Sequence, residues 1–452
     1  MSSEAGSDGS KPDRSGTEWG DRARAGLARL VEASAFERAL ISLAALVLSI
    51  AIGALVILAA GRTATCETAA TTYFGYGFCY DPFRVYDRLF LGALGNPINP
   101  LFDPLHGNFA APFTEGWTPF NDRLAYTLTE TTVLVLTGLS VAVAFKAGIF
   151  NIGTQGQMVI GGLASTLVML ALVPVFTGLA TVALLPIGIV VGAVFGGLYG
   201  AIPGALKAYA DANEVITTIM LNFVASSVAL YLVREQFKDP DSFSTKTNDL
   251  PAGVEFPQLL YAQNTAFSVV ALLFVLALVA ATYYLLRHTS FGYDLRTSGL
   301  QAAAAEYGGV NSARTIVASM TISGALAGIG GTVYVLMYYG YFQPPVPSYG
   351  FDGITVAILA GNNPVGVVPA AFLFGVLKSG AISIQTDPNV TIPIQLVGVL
   401  RGLIILFVAM PEFFRLVGKR FTDAGRRSRE GGSRVADAVR SDGGVAGGET
   451  DE

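Results

Sequence analysis

The sequence has 452 residues and a formal net charge of −5, with 13% charged and 52% hydrophobic residues. Since an ordinary globular domain has about 25% charged residues, this composition excludes a soluble enzyme and a disordered chain. The chain also lacks a basic domain or a Lys/Arg stripe, which excludes a nucleic-acid-binding protein. The composition predicts an all-α, polytopic membrane protein.

Ten apolar stretches follow one another along the chain, where a membrane helix needs roughly 20 mostly apolar residues. They lie at 39–60, 124–145, 157–177, 181–203, 215–233, 265–286, 315–337, 350–361, 365–384 and 394–411. The eighth stretch is short, and its length alone also fits a re-entrant hairpin. If both termini are cytoplasmic, 19 Lys and Arg residues lie inside and 7 lie in the external loops 61–123 and 234–264. Because this distribution obeys the positive-inside rule, we expect about ten crossings, some of them by discontinuous helices.

The chain therefore divides into three predicted parts. Residues 1–38 form a polar cytoplasmic segment, of which 21–38 is either an amphipathic helix on membrane lipid or a solvated lead-in. Residues 39–411 form the transmembrane domain. Residues 412–452 are predicted to be a disordered cytoplasmic tail.

The densest polar cluster at membrane depth lies in residues 150–158, and its polar members are Asn151, Thr154, Gln155 and Gln157. Each amide that faces lipid unpaired costs several kcal/mol, and the neighbouring Gly153 and Gly156 allow the backbone to break. This pattern favours a discontinuous helix that lines a pathway for a neutral, hydroxyl-rich solute. A cytoplasmic turn followed by a capped helix is the alternative.

A second glycine-containing interruption, at residues 349–353, opens the eighth stretch as the first interruption opens the third. Breaks at corresponding places in two inverted halves indicate a transporter's binding site. Asp352 is the charge nearest to this break and lies in the pathway or caps the helix.

Arg401 lies near the middle of the last stretch, where a charge faces a cavity or a partner. Its candidate partners are Glu130 and Asn222. Arg401 and Asn222 are also expected to line the substrate pathway. Both cysteines, Cys66 and Cys79, lie in the predicted external loop 61–123. Since the outside is oxidising, a disulfide is favoured over two free thiols.

The longest predicted cytoplasmic loop is 287–314. Within it, residues 298–307 are predicted to form a short helix that is capped by Ser298 and ends at Gly308 and Gly309. Its run of alanines suits docking against another protein, and a plain connector is the alternative.

No catalytic constellation is recognisable. The chain has no phosphate-binding loop of the form GxxxxGK[ST], and His106 and His288 are predicted to lie on opposite sides of the membrane. Two Cys and two His cannot supply the usual zinc or iron–sulfur ligands. We therefore expect neither an enzyme nor a metal or cofactor.

Four runs resemble one family in chain order: AFKAGIFNIGTQGQMVIGG, ANEVITTIMLNFVASSVALYL, RTSGLQAAAAEYGGVNSAR with the following ISGALAGIGG, and GFDGITVAILAGNNPVGVVPAAFLFG. They are similar to the membrane permease subunits of ABC importers for sugars, branched-chain amino acids and, most closely, nucleosides. The resemblance covers about residues 124–411.

The resemblance implies three protein partners: an ATP-hydrolysing cassette subunit, a second permease subunit that is identical or different, and an extracytoplasmic solute-binding protein. It also implies that residues 297–310 are the coupling helix against the ATPase. The expected contact residues there are Gln301, Ala303, Ala304, Tyr307 and Gly308.

Three functions remain open on this basis. The first is an importer permease for nucleosides, with simple sugars or branched-chain amino acids as the alternative solutes. The second is a stand-alone secondary carrier, which would need buried carboxylates for ion coupling. The third is a membrane scaffold, which would not need amide-rich breaks at membrane depth.

Overall fold

The computed structural model describes residues 35–66, 69–73, 75–98, 114, 116–176, 178–261, 265–386, 390 and 392–407. The predicted tail 412–452, His106 and most of the predicted N-terminal segment 1–38 lie outside these residues. The chain divides into two compact units, of which residues 52–403 form the larger. Residues 1–51 and 404–452 form the other.

The described residues are mostly helical and include only two short strands, which confirms the predicted all-α class. The helices are α1 (Ala35–Thr63), α2 (Pro82–Phe90), α3 (Asp122–Lys146), α4 (Thr154–Leu172), α5 (Leu184–Ala210), α6 (Glu214–Glu235), α7 (Val269–His288), α8 (Ser290–Leu300), α9 (Ala302–Tyr307), α10 (Ser312–Tyr338), α11 (Tyr349–Leu359), α12 (Pro364–Thr386) and α13 (Ile394–Phe407). Short 3-10 helices occupy Gly92–Leu94 and Gly178–Ala183.

Each of the ten predicted stretches coincides with one of these helices. Eight of the helices are long and apolar enough to cross a membrane, whereas α11 and α13 are shorter. The polytopic membrane class is therefore confirmed, and the number of crossings stays a prediction.

The segment after α1 folds into a small hairpin. Strands β1 (Thr71–Tyr73) and β2 (Tyr76–Phe78) pair antiparallel, with Thr71 opposite Phe78. Cys66 and Cys79 flank the hairpin and are joined by a disulfide.

Close helix packing in the larger unit rests on glycine. In α5, glycine recurs at every fourth residue from Gly188 to Gly204, and all five of these glycines are buried. A Cβ atom added to Gly196 would lie 2.7 Å from the Cα atom of Gly328 in α10. A Cβ on Gly162 in α4 would lie 3.0 Å from the carbonyl oxygen of Gly331. The backbones of α4, α5 and α10 therefore touch without side chains between them, as small residues allow in membrane helices.

We expect Gly196→Ala to lower the thermal stability of the purified protein, because the new methyl group overlaps the backbone of α10. Overpacking of this kind costs about 1–3 kcal/mol. Gly402→Ala is the matched control, since a Cβ at Gly402 meets no atom within 4 Å. The melting temperature in detergent checks this, and equal melting temperatures for the two variants would contradict the packing described.

Candidate substrate pathway and coupling surface

The first predicted break lies between α3 and α4. Helix α3 ends in a Schellman motif, in which the N–H of Ile149 donates to the carbonyl of Ala144 and the N–H of Gly148 to that of Phe145, both at 3.1 Å. Gly148 has φ +75°, a conformation that glycine adopts without steric cost. The chain stays non-helical until α4 begins at Thr154. Ile149 and Asn151 of this segment are buried, whereas Gly148 and Phe150 are exposed.

Asn151 and Gln157 form the centre of a buried polar cluster. The side-chain amide of Asn151 donates to Gln157 Oε1 at 3.0 Å and to Ser323 Oγ of α10 at 2.8 Å. Its oxygen accepts from the N–H of Gly153 at 2.9 Å. Ser323 in turn donates to the carbonyl of Ser140 in α3 at 2.7 Å. The cluster thus joins the break to α3, α4 and α10.

Asn222 of α6 holds the same break from another side. Its oxygen accepts from the N–H of Gly156 at 2.8 Å, and its amide donates to the carbonyl of Ile152 at 2.9 Å. Thr154 is also buried, and its hydroxyl has no hydrogen-bond partner within the described part of the chain. Asn222 therefore satisfies backbone groups that the interrupted helix leaves unpaired.

Gln155 connects the first break to the second, which is the non-helical chain that ends where α11 begins. The predicted position was wrong, since residues 349–353 are the first residues of α11 and are helical. Its amide donates to the carbonyl of Pro347 at 2.9 Å, and its oxygen accepts from the N–H of Gly350 at 2.8 Å. A Cβ on Gly350 would overlap the backbone nitrogen of Gln155. The N-termini of α4 and α11 consequently meet inside the protein.

Beside the second break, three charged side chains form an ionic cluster. The ammonium of Lys378 in α12 lies 3.1 Å from Glu130 Oε2 of α3 and 3.2 Å from Asp352 Oδ2 of α11. Glu130 is 2% exposed. The side chains of Lys378 and Asp352 are 16% and 26% exposed. Glu130 and Lys378 each lie about 12 Å along their helices from one end, which places the cluster well inside two helices that are long and apolar enough to cross a membrane.

Two tyrosines complete the surroundings of Glu130. The hydroxyls of Tyr338 and Tyr349 donate to Glu130 Oε1 at 2.6 and 2.8 Å. The Lys378 ammonium lies 3.8 Å from the centre of the Tyr349 ring. Oε1 of Glu130 therefore accepts both hydroxyl hydrogen bonds, whereas Oε2 makes no hydrogen bond with the described residues and faces the Lys378 ammonium as an ion pair.

Two interpretations from the sequence need correction here. Glu130 and Asn222 do not pair with Arg401, because Glu130 binds Lys378 and Asn222 binds the first break. Arg401 is partly exposed and makes no hydrogen bond or ion pair with any described residue. Asp352 does not cap α11, which has no side-chain cap. Lys378 was not selected from the sequence, although a lysine inside an apolar stretch usually has a charged partner; the sequence does not say which one.

The predicted coupling segment consists of two helices instead of one. Ser298 is not an N-cap; it lies inside α8 and is buried. Extended backbone at Gln301 separates α8 from α9. The predicted end is correct, since the N–H of Gly309 donates to the carbonyl of Glu306 at 2.9 Å and Gly309 has φ +87°.

Helix α9 presents most of its surface to solvent. Leu300 and Tyr307 are 89% and 99% exposed, whereas Ala305 is buried. The other predicted contact residues are exposed as well: Gln301, Ala303, Ala304 and Gly308. A small-residue helix framed by two exposed large side chains has the form of a docking surface.

Comparison with known proteins gives a consistent picture. Residues 123–409 match the family described as "Branched-chain amino acid transport system / permease component". The nucleoside ABC transporter permease protein NupB of Lactococcus lactis subsp. cremoris is 31% identical, over 74% of this chain and 85% of that protein. The guanosine ABC transporter permease protein NupP of Bacillus subtilis is 33% identical, over 68% and 88%.

A third relative has a different solute in its name. The glucose ABC transporter permease protein TsgB13 of Haloferax volcanii is 33% identical, over 71% of this chain and 83% of that protein. No solved structure matches the chain significantly.

The ionic cluster generates a stability prediction. We expect Lys378→Met to destabilise the protein strongly, because removing one partner of a buried pair costs about 3–5 kcal/mol. The double variant with Glu130→Gln should be more stable than Lys378→Met alone, since it no longer buries an unpaired carboxylate. Thermal unfolding of both single variants and the double variant measures this coupling, and additive effects would contradict the ion pair.

Proposed function

We propose that this chain, which belongs to the family of branched-chain amino acid transport system permease components, imports a nucleoside as the membrane subunit of an ABC importer. The choice of a nucleoside as substrate is supported by the similarity to NupB and NupP, whose names specify a nucleoside and guanosine. The two hydrogen-bonded breaks support the transport route, because non-helical backbone at membrane depth is typical of transporter binding sites.

Coupling to ATP is favoured over coupling to an ion gradient. A secondary carrier needs a carboxylate that can exchange its counter-ion or proton. The carboxylate of Glu130 instead binds Lys378 and two tyrosine hydroxyls. With no phosphate-binding loop in this chain, ATP hydrolysis is assigned to a separate cassette subunit.

The proposed pathway passes the two breaks. It uses the residues that the sequence analysis selected: Asn151, Thr154, Gln155, Gln157, Asn222, Asp352 and Arg401. Asp352 and Arg401 are partly exposed at membrane depth, which suits contact with a solute. The amides are buried and hydrogen-bonded within the protein in this conformation, so their contact with solute requires the N-termini of α4 and α11 to separate.

The proposed assembly has three further protein components. The cassette subunit docks on α9, a second permease subunit lies beside this one in the lipid bilayer, and a solute-binding protein delivers solute from outside. Both termini are cytoplasmic in this proposal, since that orientation places 19 Lys and Arg residues inside and 7 outside.

Glucose is the second candidate solute, because TsgB13 is as similar to this chain as NupP is. Ribose and glucose both present neighbouring hydroxyls on a saturated ring. A carboxylate such as Asp352 can accept hydrogen bonds from these hydroxyls. The nucleobase distinguishes the two solutes.

The substrate is tested by measuring the uptake of radiolabelled guanosine, uridine and glucose in a deletion strain and in the same strain complemented with the gene. We expect nucleoside uptake to disappear in the deletion strain and to return on complementation, while glucose uptake stays unchanged. Loss of glucose uptake alone would support the second candidate and reject the first.

The variant Asp352→Asn in the same assay tests the pathway. Undiminished uptake by this variant would show that Asp352 is not part of the pathway.

Docking of the cassette subunit generates a further prediction. We expect Ala304→Trp to abolish solute accumulation and substrate-stimulated ATP hydrolysis, because the indole prevents close approach to α9. Ala304→Ser is the matched control and should retain both. Co-purification of the cassette subunit and normal membrane insertion are measured in parallel; full stimulated hydrolysis in the tryptophan variant would show that α9 is only a connector.

A further inference from the structure

The coupling segment touches the first break through glycine alone. Gly299, the penultimate residue of α8, packs on the end of α3. A Cβ atom on Gly299 would lie 2.8 Å from the carbonyl carbon of Ala147 and 2.9 Å from the nitrogen of Gly148. A Cβ on Gly148 would lie 2.9 Å from the carbonyl oxygen of Gly299. Since the contact is backbone on backbone, no side chain can rotate to absorb a displacement.

This contact is continuous with the docking surface on one side. The N–H of Gln301 donates to the carbonyl of Thr297, and the N–H of Ala305 donates to the carbonyl of Gln301, both at 3.1 Å. These bonds join α8 to α9 through the single extended residue Gln301. A movement of α9 therefore acts on Gly299 over a very short distance along the chain.

On its other side the contact is continuous with the polar cluster of the break. Gly148 is followed closely by Asn151, whose amide binds Gln157 and Ser323. In the first turn of α4, Gln155 accepts the N–H of Gly350. Displacement of Gly148 thus bears on the hydrogen bonds that hold the N-termini of α4 and α11 together.

A second connection from α9 ends at the same asparagine. Ser312, the first residue of α10, donates its hydroxyl to the carbonyl of Ala302 at 3.1 Å. Ser323 lies about 16 Å further along that helix and accepts the Asn151 amide. Together with the Gly148–Gly299 contact, this gives two routes from the coupling segment to Asn151, one through α8 and one through α10.

We propose that the Gly148–Gly299 contact transmits movement of α9 to the first break and so opens the junction between α4 and α11. This inference rests on the proposed function, because it requires a cassette subunit that moves α9. Gly299 is a positioning residue in this mechanism: it contacts neither solute nor cassette subunit and acts through Gly148.

The test uses Gly299→Ala in the complete complex, reconstituted in vesicles with the cassette subunit, the second permease subunit and the solute-binding protein. The added methyl group must push Gly148 away from α8. We expect the variant to bind the cassette subunit normally but to accumulate at least tenfold less nucleoside per ATP hydrolysed. Gly398→Ala is the matched control, because its methyl group meets no atom within 4 Å, and it should match the wild type.

Hydrogen–deuterium exchange of residues 147–157 in the wild-type complex, with and without ATP, provides a readout that does not depend on how Gly299→Ala folds. We expect ATP to increase exchange in this segment. Unchanged exchange, or normal coupling in a folded Gly299→Ala complex, would overturn the proposal alone. A wild-type chain that binds no cassette subunit would overturn both the proposed function and this inference.

Discussion

The central constraint on this molecule is that backbone and amide groups at membrane depth have no water to bind. An α-helix satisfies its own groups, so each interruption must find partners in the surrounding protein. At the first break the partners are side-chain amides. Asn151 accepts a hydrogen bond from the N–H of Gly153, and Asn222 accepts one from an N–H and donates one to a carbonyl. At the second break Gln155 does the same for Gly350. The breaks persist because these side chains replace the missing helical hydrogen bonds.

Such short side chains can reach their partners only if the helices lie very close together. The glycine contacts provide this, since Gly196 and Gly162 bring α5 and α4 onto the backbone of α10. The hydroxyl of Ser323, on the same helix, then lies within 2.8 Å of the Asn151 amide. Packing and polar satisfaction therefore depend on each other: a methyl group in the glycine contacts would separate α10 from the helices that carry the break.

Much of this arrangement could be predicted from the sequence. Apolar length located the ten helices, and polar residues beside glycine located the first break. Residues 349–353, predicted as a second interruption, are instead the helical start of α11. The recurrence of glycine at every fourth residue from Gly188 to Gly204 also indicates a close helix contact, although this pattern was not used for the prediction. The pairing of Glu130 with Lys378 could not be predicted, because the choice among Asn222, Arg401 and Lys378 depends on which helices are neighbours. The prediction that Ser298 caps a helix was wrong because the residues before it are already helical. A single polar residue before a run of alanines does not show whether a helix starts there or continues through it.

Helix α11 is the element on which these interactions converge. Its N-terminus carries a partial positive charge, and the Lys378 ammonium beside it adds a full one. Asp352 in the first turn and Glu130 offset both charges, so the ionic cluster stabilises the position of α11 as well as its own members. Gln155 holds the same terminus through Gly350. Helix α11 also packs along α3, where a Cβ on Gly138 would lie 2.8 Å from the side chain of Val356. Gln155 binds Gly350, and Asp352 lies in the same first turn of α11. A movement of the first break that shifts Gln155 therefore acts on the ionic cluster through this turn.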